Sequence, residues 1–231
     1  MNRTVVITGS TRGIGFATAM EFLRNGDQVV VFCRHQGHVK EATDRLRRLA
    51  DSERVLGLVG DVRKAEDAKR IVRRCLHRFG RLDVLVNNAG IAAYKEIERT
   101  TEKQWGEILD TNLKGTFLFL RTVLPVMKKQ GSGIVINVSS LLGITGLGNF
   151  SAYCASKFGV IGLTQSVADE TAGTGVRIYA VLPGAVATDL SRKLNLDMQP
   201  SELLKPEGVA TRIFRLAEGK KRSGQSIEVY R

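Results

Sequence analysis

Short, almost wholly apolar runs alternate along this chain with longer segments whose apolar residues recur every three to four positions. The runs Thr4–Thr8, Gln28–Phe32, Val55–Gly60, Asp83–Val86, Gly133–Val138, Val176–Val181 and Ser226–Val229 have the length and β-branched content of strands. Several lack any alternation of apolar and polar positions, which predicts strands covered on both faces, as in a parallel sheet. The clearest helical stripe gathers Ala65, Ala68, Ile71, Val72, Cys75, Leu76 and Phe79 on one side. Regular strand–helix alternation demands right-handed crossovers. The expected fold is therefore α/β: a three-layer, doubly wound architecture with a seven-stranded parallel sheet. No linker, repeat or low-complexity stretch interrupts the pattern, so residues 1–231 are expected to form a single domain.

Composition narrows the picture. A chain of 231 residues fits one such domain. It has no run of the roughly 18–20 apolar residues needed to cross a bilayer. The first residues already read as a strand, so no secretory leader is expected. The cysteines (Cys33, Cys75, Cys154) are scattered and lack CxxC spacing, which argues against a disulfide framework or metal site and fits a reducing cytoplasm. His35, His38 and His77 are too poorly partnered to suggest zinc. The net charge of +12 raises the question of a polyanionic partner. The excess, including Arg45, Arg47, Arg48, Arg63, Arg70, Arg73 and Arg74, is mixed with acids in helical segments, and no basic stretch carries interleaved stacking aromatics. Solvated helix faces are expected, and nucleic acid is not; an acidic protein partner stays compatible with the charge.

Candidate chemistry begins where the first strand runs into Thr8-Gly9-Ser10-Thr11-Arg12-Gly13-Ile14-Gly15 and then a helix. Glycines in a strand-to-helix turn let the backbone approach a diphosphate resting on the helix N-terminus. The Gly-xxx-Gly-x-Gly spacing differs from GxGxxG, but the strand before it and the helix after it favour nucleotide binding of the Rossmann kind. The second strand ends Phe32-Cys33-Arg34, with no acid to accept from an adenosine ribose 2′-hydroxyl. Arg34 and Arg12 offer instead two guanidinium groups suited to a 2′-phosphate, pointing to NADP(H) over NAD. Tyr153 and Lys157, four residues apart on a helical segment, project from one face. An ammonium beside a phenol favours the phenolate, so a lowered Tyr153 pKa is expected. Ser139 and Ser140 close the fifth strand, where a hydroxyl can polarise a carbonyl.

Together these segments resemble the short-chain dehydrogenase/reductase family across nearly the whole chain. The resemblance is carried by Thr8–Gly15, Asp61-Val62, Asn87-Asn88-Ala89-Gly90, Asn112, Ser140, Tyr153-xxx-Lys157 and Pro183-Gly184. It implies catalysis by Asn112, Ser140, Tyr153 and Lys157. Tyr153 would be the general acid in reduction and Ser140, preferred over Ser139, would hold the substrate oxygen. Lys157 would tune the tyrosine and bind the nicotinamide ribose, and Asn112 would kink its helix and anchor a relay water. The cofactor would be held by Gly9, Ser10, Thr11, Arg12, Gly13, Ile14, Gly15, Arg34, Asp61, Val62, Asn88, Ala89, Gly90, Tyr153, Lys157, Pro183, Gly184, Val186 and Thr188. Of these, Asp61 would bond the adenine amine through its side chain.

The family implies an NADPH-dependent carbonyl reductase, and the wording of the motifs is nearest the 3-oxoacyl-[acyl-carrier-protein] reductases. An acidic carrier would suit Lys128 and Lys129. An NADP-dependent sugar or alcohol dehydrogenase is the second reading. A non-catalytic NADP sensor is the third, disfavoured by the retention of Asn112, Ser140, Tyr153 and Lys157. Residues 189–206 would form the substrate lid, short here and with few apolar residues (Leu190, Leu194, Leu196, Met198). The segment Ile227–Arg231 departs from the Asp-Gly-Gly tail of many relatives. A homodimer or homotetramer is expected, through the helices containing Trp105–Met127 and Tyr153–Ala172.

Overall fold

The computed structural model describes residues 2–194 and 199–230. Its strands are β1 (Thr4–Thr8), β2 (Gln28–Cys33), β3 (Val55–Val59), β4 (Val84–Asn87), β5 (Gly133–Val138), β6 (Val176–Pro183) and β7 (Ser226–Val229). The α-helices are α1 (Gly13–Arg24), α2 (Gln36–Arg47), α3 (Ala65–Phe79), α4 (Glu102–Leu109), α5 (Gly115–Gln130), α6 (Ser151–Glu170), α7 (Asp189–Lys193) and α8 (Pro206–Leu216). All seven strands join one parallel sheet in the order β3-β2-β1-β4-β5-β6-β7. This is the expected doubly wound α/β fold.

The absence of alternation in the strand sequences has a direct structural counterpart. Val5 and Ile7 face one core with Val29, Val31, Val84 and Val86, under Phe16, Phe22, Ile213 and Leu216 of α1 and α8. Val6 faces the other, with Val30, Phe32, Leu85 and Val135, under Ile71, Cys75, Leu118, Phe119 and Val123 of α3 and α5. A side chain on either face of a central strand is thus removed from water, at about 25 cal/mol per Å² of apolar surface. In the α3 stripe, Ala68, Ile71, Val72 and Cys75 are buried, and Ala65, Leu76 and Phe79 pack at its margin.

The strand order reverses between β1 and β4. β1 sends its chain outward to β2 and β3, whereas β4 leads away to β5, β6 and β7. Loops leaving these two strands at their carboxyl ends diverge and leave a crevice, the position where ligands bind in open α/β sheets. The glycine loop follows β1, Asn88–Gly90 follows β4, and Ser139–Ser140 follows β5. The topology therefore collects on one rim the segments singled out in the sequence.

Candidate active site

The glycine loop is shaped by backbone strain and by close approach. Gly9 has φ +63° and Gly13 φ +53°, the left-handed region open to glycine. Gly15 is needed for space: a Cβ there would lie 2.6 Å from the Gly9 carbonyl oxygen and 2.5 Å from Asn88 Nδ2. The Asn88 amide in turn donates to the carbonyls of Thr8 at 2.9 Å and Gly9 at 3.1 Å. Beneath it, the buried Thr8 hydroxyl accepts from the backbone N–H groups of both Asn88 (2.9 Å) and Ala89 (2.8 Å). In the sequence Thr8 only opens the glycine motif, since nothing local announces partners 80 residues away.

Within the loop, Ser10 is fully buried. Its hydroxyl donates to Ile7 O at 2.7 Å and accepts from Phe32 N at 2.9 Å, so its side chain ties β1 to β2 and only its backbone is available to a ligand. Arg12 caps α1 in an extended conformation and is largely exposed. Arg34, just beyond β2, is exposed too.

Asp61 follows β3 and makes a bidentate pair with Arg63, both of its oxygens accepting at 2.6–3.0 Å. Burial works to raise this carboxyl's pKa, but the Arg63 hydrogen bonds and the charges of Arg63 and Arg34 outweigh it and hold the pKa below the usual range. A carboxylate so engaged keeps lone pairs for one more donor, but its orientation is set by Arg63. The arginine two residues on is the available sequence signal for this pairing, one that the family resemblance does not draw on. Val62 is buried against Gly115, where a Cβ would come within 3.0 Å of its Cγ2.

On the other side of the crevice, Asn112 sits in a π-helical turn, Asp110–Lys114, between α4 and α5. Such turns wedge a residue out of helical register. Asn112 Oδ1 accepts from Ile91 N at 2.8 Å, while its Nδ2 donates to Ile91 O and to Ser156 Oγ, each at 2.9 Å. It thus bolts the loop after Gly90 to α6, and the helix irregularity expected at this residue is present.

Ser139 and Ser140 have separate fates. The Ser139 hydroxyl is buried and donates to Lys157 O at 2.9 Å. The Ser140 hydroxyl accepts from Leu142 N at 3.1 Å and stands near enough to the Tyr153 phenol to pull its pKa down. Only Ser140 therefore meets the tyrosine, as the sequence preferred. Asn149, on the approach to α6, is the one described non-glycine residue with positive φ (+65°), and its carbonyl accepts from Lys95 N at 2.8 Å. This bend brings Phe150 against Tyr153, ring centroids 6.2 Å apart.

Lys157 is buried one helical turn below Tyr153, its Nζ 5.5 Å from the phenol ring centroid and donating to Val138 O at 2.8 Å. Burial pushes its amine down to about 8. Burial likewise pushes the Tyr153 phenol up to about 12, against the lowering pull of the Ser140 hydroxyl. The lysine does not bring the phenol down in the chain by itself, contrary to the sequence expectation, because desolvation of the phenolate dominates.

Pro183 ends β6, and Gly184 N donates to Val229 O at 3.2 Å. Beyond it Val186 bridges to Leu204, with Ala187 N donating to Leu204 O and Leu204 N to Ala185 O, each at 2.8 Å. The 189–206 excursion thus leaves and rejoins at one point; Leu196 and Met198 lie outside the described residues. Thr188 caps α7 and sets its methyl against Gly13, where a Cβ would lie 3.2 Å from Thr188 Cγ2. No group of histidines, cysteines and acids suited to a metal occurs among the described residues.

This constellation is matched in known proteins. A family model described as short chain dehydrogenase matches residues 3–199. The chain belongs to the short chain dehydrogenase family. It is accordingly an oxidoreductase working between carbonyl and alcohol groups with a nicotinamide cofactor. The 3-oxoacyl-[acyl-carrier-protein] reductase FabG of Staphylococcus epidermidis is 33% identical over 240 aligned residues, covering 99% of this chain and 98% of that protein. Among solved structures, levodione reductase superposes with a TM-score of 0.92 at 30% identity, covering 99% of this chain and 96% of that one. A variant of actinorhodin polyketide ketoreductase, solved with NADPH, gives a TM-score of 0.92 at 27% identity over the same shares. Family membership accounts for the crevice, the glycine loop and the nicotinamide cofactor. No described helix is long and apolar enough to cross a membrane.

Proposed function

We propose that this chain is an NADPH-dependent carbonyl reductase in which Asn112, Ser140, Tyr153 and Lys157 form the catalytic group. The observation that carries the reading is the convergence of Ser140, Tyr153 and Lys157 from the end of β5 and from α6 onto the rim crevice, with Lys157 Nζ 5.5 Å from the phenol ring centroid.

The residues present fit the cofactor. Lys157 spends one described hydrogen bond on Val138 O, leaving ammonium donors for ribose hydroxyls beside Gly90, where a Cβ would lie 3.6 Å from Nζ. The N-terminus of α1 and the backbone of Gly9–Gly15 would take the diphosphate. Arg12 and Arg34, with no acid at the end of β2, favour a 2′-phosphate. Val62, Ala89, Pro183, Gly184, Val186 and Thr188 would border the rings. NADPH, when bound, supplies the hydride.

The side chains then supply a proton and a polarised oxygen. A substrate carbonyl between Ser140 and Tyr153 accepts from both hydroxyls, and as charge develops on its oxygen the Tyr153 proton moves to it. A phenol pushed up to about 12 holds that proton at neutral pH, which suits the reductive direction. Lys157 stabilises the phenolate left behind, and Asn112 keeps Ile91 and α6 in register.

For substrate, 3-oxoacyl thioesters carried on an acidic protein are favoured by the relationship to 3-oxoacyl-[acyl-carrier-protein] reductase and by the net charge of +12. The short 189–206 excursion serves as the substrate lid. Exposed Trp105, Phe117 and Phe158 on α4, α5 and α6 support a homodimer or homotetramer through these helices. The deciding experiment follows NADPH and NADH absorbance separately with 3-oxoacyl thioesters, diketones, quinones and aldoses. Turnover selective for NADPH, falling roughly 10²- to 10⁴-fold in Tyr153→Phe, is expected. Equal rates in the variant would refute the assignment.

A further inference from the structure

Asp189 opens α7 and lies between two arginines. Its carboxylate accepts from Arg192 at 2.5 Å, and its Oδ2 stands 3.7 Å from Nη1 of Arg12 in the glycine loop. The contact joins the substrate side of the crevice to the cofactor side. Its placement is fixed from both ends, because Thr188 packs its methyl against Gly13 while capping α7 through Ser191 N. The pair lines a cleft of about 340 Å³ between α1, α7 and α8.

We propose that Asp189 is an internal carboxylate competitor for Arg12, and so sets the strength and selectivity with which the chain takes a 2′-phosphorylated nicotinamide cofactor. This rests on the reading of Arg12 as a 2′-phosphate ligand. A guanidinium that serves a phosphate must direct its donors toward it, and the Asp189 carboxylate offers a rival acceptor of the same charge sign. The same negative charge near the entering phosphate disfavours it a second time, by repulsion. The competition is mild by construction. Arg12 is 59% exposed and Asp189 42%, so solvent screens both terms, and Arg192 holds the carboxylate at a shorter distance than Arg12 does. A phosphate therefore displaces Asp189 without removing it from every partner. Cofactors lacking the phosphate make no demand on Arg12 and leave the pair intact.

The test is the dissociation constant for NADPH and for NADH, by fluorescence titration, in the parent chain, D189N, R12Q and the double variant. D189N keeps the shape and the exposed position, and Thr188 and Ser191 still cap α7. It is expected to tighten NADPH about 1.5- to fivefold, the scale of an exposed ion pair, and to leave NADH unchanged. The gain is expected to vanish in the R12Q background and to shrink as salt is raised. An NADPH affinity unchanged or weakened by D189N, with R12Q still weakening it, would overturn the competitor role alone. Equal binding of NADPH and NADH by the parent, untouched by R12Q, would overturn the 2′-phosphate reading and this proposal with it.

Discussion

The Lys157 ammonium donates to the Val138 carbonyl at 2.8 Å, so the last residue of β5 fixes the one buried lysine of α6. The lysine is held in place at a cost to the fold. Its pKa falls from 10.5 to about 8 on burial, so between those values the unfolded chain binds more protons than the native one. Stability attributable to this group therefore rises with pH from about 8 to about 10.5, and the penalty is fully present below about 8. Lys157→Met is expected to abolish turnover and yet to raise the unfolding free energy near neutrality by roughly 1–3 kcal/mol. That figure sets the lost desolvation penalty against an unpartnered Val138 carbonyl. Urea unfolding at about pH 7 and about pH 10.5 checks it: the variant's advantage should disappear at the higher pH. A variant less stable than the parent at pH 7 would mean that the Val138 bond outweighs desolvation.

Tyr153 makes a second pH prediction. With the phenol pushed up to about 12, the proton donor stays loaded across the neutral and mildly alkaline range. The phenol itself is expected to impose no fall on the kcat for carbonyl reduction between about pH 7 and about pH 9. A fall with a midpoint near about 8 would follow the Lys157 ammonium, while alcohol oxidation, which needs the phenolate, should rise with pH. Matched profiles in both directions settle the matter. A reductive kcat falling with a midpoint near 7 would show that the bound cofactor lowers the phenol by several units.

The two adjacent serines separate chemistry from structure. Ser140→Ala removes a hydroxyl that meets the phenol and is expected to cut kcat roughly 10²- to 10³-fold with little loss of stability. Ser139→Ala removes a buried donor to the Lys157 carbonyl and is expected to cost about 1–2 kcal/mol of stability. Its kcat should stay within a few-fold of the parent. Thermal unfolding and steady-state rates on both variants test the split; reversed effects would reassign the substrate-polarising hydroxyl.

Much of this was legible in the sequence because it is local. Apolar runs mark the strands to within about two residues, and most plainly in β1, β2, β4 and β5, where burial on both faces leaves few exposed positions to blur the pattern. The differences sit at strand ends. Asp83, expected to open β4, instead lies just before it and accepts from Arg81 and from Thr4 N. β6 runs on to Pro183, where a missing N–H costs nothing at a strand terminus. In the site, Ser140, Tyr153 and Lys157 were legible from spacing and from the family resemblance. The raised Tyr153 pKa was not, since desolvation depends on Phe150 and on the fold around the phenol. Nor were the Asp189–Arg12 contact or the Lys157–Val138 bond, which exist only once distant segments meet on the same rim.

Thr8 is the strongest case of a residue whose importance lies in such long-range bonds. Its hydroxyl is the common acceptor for two consecutive amides, Asn88 N and Ala89 N, at the base of the crevice, and Thr8 is 2% exposed. Thr8→Val preserves shape and β-propensity but leaves both N–H groups without their acceptor at the partly buried base of the crevice. An unsatisfied buried donor costs about 1–3 kcal/mol, so two of them would cost at most roughly 2–6 kcal/mol, and less as relaxation or water reaches them. Relaxation is expected to move the Asn88–Gly90 loop off the glycine loop, taking with it the Asn88 amide that holds the Thr8 and Gly9 carbonyls. The variant should therefore lose affinity for NADPH and NADH alike, about tenfold or more, with no change in the preference between them. Thr8→Ser, which restores the acceptor, should recover most of both losses. Calorimetric unfolding together with cofactor titration decides it: a Thr8→Val chain that binds both cofactors as the parent does would show that the glycine loop holds its shape without this anchor.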